Sequence, residues 1–316
     1  MKSFFLITIL VFTAIIICTS CDEEDNELPF EIEGLTMENF PVIDGSTSTD
    51  PLVRLIACKL LGYNYRWEEY LHMDGTWGLF TDLPYEIFEQ KIKLSQTHNA
   101  IINLINDEVD IILSARKMSA EEKGYAAEVA VNLIETPIAL DALIFVEHPD
   151  NRIKSLTSSQ IQDIYKGKIK KWKDVGGNDT PITPYVRNQN SGSQEIFETL
   201  VLPNEQIPED FPEDQTITGM MLLLSRVQSD INGLGYTVFY YKENIIRDLC
   251  DVRTLSVNGI YPDKNTIKSR KYPYTSEVYV SIRSDLDKSS MAYKIYELLQ
   301  TSAGKRMINE SGYVAN

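Results

Sequence analysis

Imidazoles and thiols are scarce in this chain. Its 316 residues carry three histidines, three tryptophans and four cysteines. His72, His98 and His148 stand far apart, and neither an HExxH helix nor a G-x-S-x-G elbow occurs. A glycine-rich phosphate loop ending in Lys-Ser or Lys-Thr is missing as well. These gaps remove the commonest sequence routes to metal-assisted hydrolysis, serine hydrolysis and nucleotide hydrolysis. No metal or cofactor is expected from this inventory. Cations are outnumbered: 30 Lys plus Arg face 46 Asp plus Glu, for a formal charge of −16. A chain of that sign with no basic patch is a poor partner for nucleic acid. Internal repeats are lacking, and only one long apolar run exists, at the N-terminus.

That run lies in MKSFFLITILVFTAIIICTSC, where one lysine precedes an apolar or hydroxyl stretch from Phe4 to Cys18. It falls short of the roughly 20 residues that span a bilayer comfortably. Small residues, Cys21 and then Asp22, Glu23, Glu24 and Asp25 follow. The arrangement resembles a bacterial lipoprotein signal, which implies cleavage before Cys21 and a lipid on its thiol. Cys18 departs from that pattern, which usually has leucine there. An uncleaved anchor or an ordinary secretory signal is the alternative. On this reading residues 1–20 are leader and 21–38 an acidic tether. Cys58 and Cys250 are then the only other thiols. With no CxxC spacing between them, two buried free thiols are expected rather than a bridge.

Beyond the tether, short β-branched runs alternate with helical patterns, which indicates an α/β fold. In FPVIDGSTSTDPLVRLIACKLLG a strand ends at Asp44, a Gly-Ser-Thr loop follows, a helix opens at Pro51 and Gly62 stops it. VDIILSARKMSAEEK gives a buried strand, Val109–Leu113, and a capping box from Ser119 and Glu122. A further strand is expected from Ile138, a second box at Thr157 and Gln160, and a last helix over Ser289–Gly304. Between Tyr63 and Gln96 the pattern does not partition. The aromatics Trp67, Trp77, Phe80 and Phe88 there fit a core better than a partner surface.

Two loops share one design, with small hydroxyl residues and glycine set directly before a helix. They are GSTST, Gly45–Thr49, and NSGSQ, Asn190–Gln194. A helix start presents unpaired N–H groups and the positive end of the helix dipole, so it attracts anions. Arg187, just before the second loop, adds a planar cation that can grip an oxyanion with two bonds. Plain N-capping explains either loop alone, since Ser, Thr and Asn are common caps. A hydrolytic reading would pair Ser191 with His148 and Asp150, although EHPD has the character of a turn.

The segments GSTSTDPL, VDIILSARKMSAEE, SSQIQDIYKGKIKKWKDVGG, VRNQNSGSQEIF and NGLGYTVFYY together resemble the phosphate-binding receptors of high-affinity phosphate ABC transporters. They follow that family's order from about Val42 to Val280. The resemblance implies a bilobed periplasmic-binding-protein fold of type II. Lobe I would take 39–137 and 276–316, lobe II would take 138–275, and the hinge crossings would lie near Ile138–Glu147 and Tyr274–Ile282. It implies a monomer, lipid-anchored outside the cytoplasm, that binds inorganic phosphate or a related oxyanion and delivers it to an ABC permease. Carried over residue by residue, Thr47, Ser48, Thr97, Arg187, Ser191, Gly192 and Ser193 would hold the anion, with Ser46, His98 and Arg116 secondary and no catalytic residue. Two departures bear on selectivity. The second loop reads QTHNA, with His98 and Asn99 where the family has glycines. Ala115 stands where the family's phosphate receptors place an aspartate that accepts the proton of hydrogen phosphate. A sulfate-type receptor, or a sensor or adhesion module on the same fold, is therefore the alternative.

Overall fold

The computed structural model describes residues 30–72 and 75–316. The leader, Cys21 and the start of the tether lie outside the described residues.

Strands β1 (Ile43–Gly45), β2 (Ile111–Ser114), β3 (Leu133–Glu147), β4 (Gly233–Val238) and β5 (Thr275–Arg283) form the spine of one eight-stranded sheet. Its order is β1-β2-β5-β3-β4, with Thr183–Pro184 beyond β4, while Arg253–Thr254 and Val314–Ala315 also pair with β3. β1 runs parallel to β2, whereas β5 is antiparallel to both β2 and β3, and β4 is antiparallel to β3.

β3 changes partner along its length. Leu133–Ala142 lie against β5, with Ala142 opposite Thr275, and Leu143–Glu147 lie against β4, with Leu143 opposite Val238. The residues from Ile138 to Glu147 are buried without interruption, as expected for a strand covered on both faces. Two apolar clusters flank the change. One gathers Phe145, Tyr165, Phe197 and Tyr236, and the other Phe40, Leu52, Ile56, Val280, Ile295 and Met307. Asp141, fully inside beside the change, accepts from the Ala142 and Tyr240 N–H groups. Burial there pushes its carboxyl up to about 7 despite those two bonds.

Seven helices matter below: α1 (Asp50–Leu61), α2 (Gln96–Ile105), α3 (Ala120–Glu128), α4 (Gly192–Leu200), α5 (Met220–Ser229), α6 (Met291–Leu298) and α7 (Ser302–Glu310). Pro51 opens α1, and Gly62 ends it at φ +77°, a left-handed turn that glycine adopts freely. Both expected capping boxes form, at Ser119/Glu122 and Thr157/Gln160. Cys58 and Cys250 are free and buried.

Three expectations are corrected. The strand read as Val109–Leu113 lies at Ile111–Ser114, and the one read from Ile138 begins at Leu133. The single helix over Ser289–Gly304 is two, because Thr301 restarts the chain with its hydroxyl accepting from the Gly304 N–H at 3.2 Å. Gly304 stops nothing there. A Cβ on it would sit 2.4 Å from the Leu298 carbonyl oxygen, so close packing demands glycine. Tyr63–Gln96 resolves into a hairpin, Tyr65–Glu69 with Trp77–Thr81, and a helix, Tyr85–Gln90. Its four aromatics are half-buried: Trp67 and Phe88 pack on the second cluster, and Trp77 lies under the Arg247 guanidinium at 4.6 Å.

Candidate functional site

The first loop is fixed from below. Asp44, buried at the end of β1, accepts from Gly45 N at 2.7 Å, Ser95 N at 2.8 Å and Asn103 Nδ2 at 2.8 Å, which ties this loop to the start of α2. A Cβ on Gly45 would meet Thr49 Oγ1 at 2.6 Å and the Leu113 carbonyl oxygen at 2.8 Å, so no side chain fits. Thr49 donates to the carbonyls of Ser46 and Leu113. The chain then coils through a short 3-10 turn, Thr47–Thr49, straight into α1. Ser46 is the junction: its Oγ accepts from Ala115 N at 2.9 Å and bonds Thr97 Oγ1 at 2.8 Å.

The second loop sits against the start of α2. Asn190 at φ +65° turns the chain into α4, and a Cβ on Gly192 would lie 2.4 Å from Thr97 Oγ1. The two helix starts thus meet across a gap with room for a backbone and nothing more. Ser191 and Ser193 hydroxyls lie 3.1 Å apart.

Cap chemistry separates these loops from ordinary helix starts. The side chains of Ser119, Thr157, Asp263, Ser290 and Thr301 each accept from the backbone of their own helix. Ser191 and Ser46 stand at the N-cap positions of α4 and of the Thr47–Thr49 turn, and neither makes such a bond. Ser46 instead spends its hydroxyl on Ala115 N and Thr97, and Ser191 turns its hydroxyl toward Ser193, so the N–H groups at these helix starts are left without a side-chain cap.

Arg187 completes the arrangement. It is only 7% exposed, and its Nε donates to the Ile217 carbonyl at 3.1 Å while Nη1 donates to Ser193 Oγ at 3.2 Å. Among the described residues no carboxylate forms an ion pair with it. The other buried arginine among the described residues is paired: Arg116 grips Glu122 with two bonds, 2.7 and 2.9 Å, while half-buried Arg253 holds the buried Glu147. A buried unpaired charge is costly, and burial pushes the Arg187 guanidinium below its ordinary value. An anion in front of it would remove that penalty.

These groups open on a cavity of about 380 Å³ lined by Ser46, Thr47, Ser48, Thr97, Ala115, Arg187, Ser191, Gly192 and Ser193, with no Asp or Glu among the described residues on its walls. A water occupies about 30 Å³ of liquid, so the space holds a tetrahedral oxyanion with several waters. Each of the seven principal candidates borders this one space, together with Ser46. His98 and Arg116 do not. His98 Nδ1 faces Glu122 Oε1 at 2.9 Å, and Arg116 points to the same carboxylate, so both belong to a structural triad under α3. Burial opposes ionisation of Glu122, yet Arg116, the Ser119 N–H and His98 outweigh it and hold the carboxyl below its ordinary range. Asp110, just before β2, accepts from Val42 N at 2.7 Å and takes no part in this triad.

Residues 85–293, more than half of the chain, match the PBP superfamily domain. The chain belongs to that superfamily. Similar curated proteins include "Phosphate-binding protein PstS" of Borreliella burgdorferi, 28% identical over 220 residues, covering 68% of this chain and 75% of the relative. The Bacillus subtilis protein of the same name is 24% identical over 278 residues, covering 86% and 79%. Among solved structures, a putative phosphate ABC transporter substrate-binding protein with bound phosphate from Clostridium perfringens superposes with a TM-score of 0.60. It is 23% identical and covers 87% of this chain and 98% of its own. An ABC-type phosphate transport receptor from Vibrio cholerae gives 0.60 at 21% identity, covering 86% and 98%. At these identities the structures speak for the fold.

This superfamily member also uses residues that its sequence did not single out. The Arg187 N–H donates to the Tyr236 hydroxyl at 2.9 Å and to Gln194 Oε1 at 3.1 Å, and Tyr236 in turn donates to Gln194. The first turn of α4 thereby fixes the backbone that carries the cation. Tyr313 donates to the Ser48 carbonyl at 3.0 Å and props the first loop. Tyr241, Gly219 and Met220 line the cavity. Gln194 lay in plain view in NSGSQ, but only the fold brings Tyr236 and Tyr313 close.

Proposed function

We propose that this protein is a solute receptor that holds inorganic phosphate, or a tetrahedral oxyanion like it, between the Thr47–Ser48 loop and the Ser191–Ser193 loop. The observation that carries the proposal is Arg187: a buried guanidinium with no carboxylate partner among the described residues, whose Nη1 reaches the Ser193 hydroxyl in the first turn of α4. Thr47, Ser48, Thr97, Ser191, Gly192 and Ser193 supply hydroxyl and backbone donors around it. Each charge-assisted bond contributes ~1.5–3 kcal/mol, and micromolar binding asks for ~8 kcal/mol, so a handful is sufficient after the cost of closure. The surface charge of the chain does not decide the matter, because salt screens it beyond ~8 Å while the donors act at contact.

The named phosphate-binding relatives support phosphate as the ligand and an ABC permease as the recipient. In this reading residues 39–137 and 276–316 form one lobe and 138–275 the other. Binding shifts the hinge toward the closed form, which alone engages donors from both sides. Cys21 carries a lipid that tethers the monomer outside the cytoplasm, and residues 21–38 give it reach.

Catalysis is not part of this function. His148 Nδ1 accepts from the Asp150 N–H at 3.1 Å within its own turn, and the Ser191 hydroxyl bonds Ser193, so among the described residues no base is paired with that serine. Titration of the purified protein with phosphate, sulfate, arsenate and molybdate tests the reading. Saturable binding of phosphate that vanishes in Arg187→Ala supports it, and absence of binding to all four refutes it.

A further inference from the structure

A lone tetrahedral anion needs less than this cavity offers. Its volume is about 380 Å³, against about 30 Å³ for a water, and its wall is of two kinds. Donors come from the Thr47–Thr49 turn and from the starts of α2 and α4. A separate stretch comes from the start of α5 and the end of β4, where Met220, Met221, Leu222 and Val238 border the space beside Tyr241. An inorganic oxyanion carries oxygen at every corner and has nothing apolar to place there.

The residue pattern of α5 sets that stretch apart. Its inward face is Leu223, Leu224 and Val227, all fully buried. Leu222 shares the outward face with Ser225, Arg226 and Ser229, which follow it at helical spacing and are exposed. Met221 stands in the same relation to the exposed Ser225 and Gln228. The outward face is therefore polar after its first turn and apolar only where it borders the cavity. Leu222 is 49% exposed, and Met220 and Met221 are half-buried. Met220 also packs on the first apolar cluster, whereas Met221 and Leu222 belong to none among the described residues. A single exposed leucine is ordinary, but consecutive large apolar side chains on a concave wall, beside a few fixed polar groups, have the composition of a small-molecule pocket.

We propose that this site also takes a small phosphate monoester, whose phosphoryl group meets Arg187 and the two loops while its alkyl part lies over Met221, Leu222 and Val238. The proposal rests on the oxyanion-receptor reading above and deepens it by naming a ligand class. The chemistry of such a molecule matches both kinds of wall. Its second proton leaves near pH ~6, so at pH 8 its terminal oxygens are all acceptors facing donors. No Asp or Glu among the described residues lines the cavity to repel that dianion. The remaining corner, an ester oxygen bearing carbon, gains from an apolar neighbour, and each methylene buried there strengthens binding about fourfold.

Calorimetric titration at pH 8 with inorganic phosphate and with methyl, ethyl and propyl phosphate tests this in the wild-type protein, Met221→Gln and Leu222→Gln. The wild-type protein should bind all four, with propyl phosphate held roughly tenfold more tightly than methyl phosphate. In each variant that gradient should flatten, and the ratio of propyl phosphate to inorganic phosphate affinity should fall at least about threefold. Glutamine suits a helix and both positions lie on its outward face, so folding is preserved. Binding of inorganic phosphate with refusal of the esters would overturn the proposal, as would ester binding indifferent to chain length. A ratio unchanged in both variants would also overturn it. Wild-type protein that binds none of the four sinks the receptor reading itself, whereas phosphate held and esters refused sinks this proposal alone.

Discussion

Substituting alanine at Gly192 tests whether the Ser191–Ser193 loop closes on the start of α2 beside the ligand. The added Cβ would stand 2.4 Å from Thr97 Oγ1 and 3.1 Å from Thr97 Cβ, and ordinary carbon–oxygen contacts begin near ~3.3 Å. The gap must therefore widen by about 1 Å, or Thr97 must turn and forfeit its 2.8 Å bond to Ser46. Overpacking of this size costs ~1–3 kcal/mol, which is about a fivefold to hundredfold loss of phosphate affinity. Folding should survive, because Gly192 is the first residue of α4 without a left-handed φ, and alanine suits a helix better than glycine. The assay is calorimetric titration of Gly192→Ala beside its melting temperature, repeated in a Thr97→Ala background. Removing the threonine hydroxyl and methyl relieves most of the overlap, so the Gly192→Ala penalty should shrink there. An affinity equal to wild type, or the same penalty in both backgrounds, would refute the idea that this loop closes on the start of α2.

Other consequences follow from the buried charges. Arg187→Met should lower phosphate affinity at least a hundredfold, since several charge-assisted bonds go at once, without lowering the melting temperature of the ligand-free protein. A marked drop in that temperature would mean that the guanidinium is structural. Glu122→Ala leaves Arg116 buried without its partner, and should cost ~3–5 kcal/mol in urea unfolding while phosphate affinity holds. Asp141 gives the pH dependence. Its folded carboxyl, pushed up to about 7 by burial, binds a proton more tightly than the unfolded one near ~4, so stability is lost as pH rises through that window. The penalty is complete above pH ~7 and amounts to a few kcal/mol. Asp141→Asn should therefore raise the unfolding free energy at pH 8 and leave it unraised at pH 4; equal effects at both would contradict the assignment.

Local signals in the sequence survived folding where they were self-contained. The Ser119/Glu122 and Thr157/Gln160 boxes, Pro51 and Gly62 act within one turn, and each lies where its chemistry requires. The break between α6 and α7 lacked a glycine or proline stop, and Gly304 misled because its reason is packing against Leu298 and Leu299. Residues 133–137 were passed over because Glu135, Thr136 and Pro137 interrupt the apolar pattern, unlike the buried run after them. At the site, the paired loops and Arg187 stood out as donors set before helices. Which donors are spent could not be read: Arg116 and His98 look as cationic as Arg187 until Glu122 is seen beneath them.

The central claim is that Arg187 is unpaired because an oxyanion completes it. Calorimetry of phosphate into the wild-type protein and Arg187→Met, at matched pH and salt, addresses that claim most directly. The account predicts one saturable site per chain with micromolar or tighter affinity, absent in the variant although the variant folds. Micromolar binding that persists in Arg187→Met, or wild-type protein that takes up no phosphate, would contradict it.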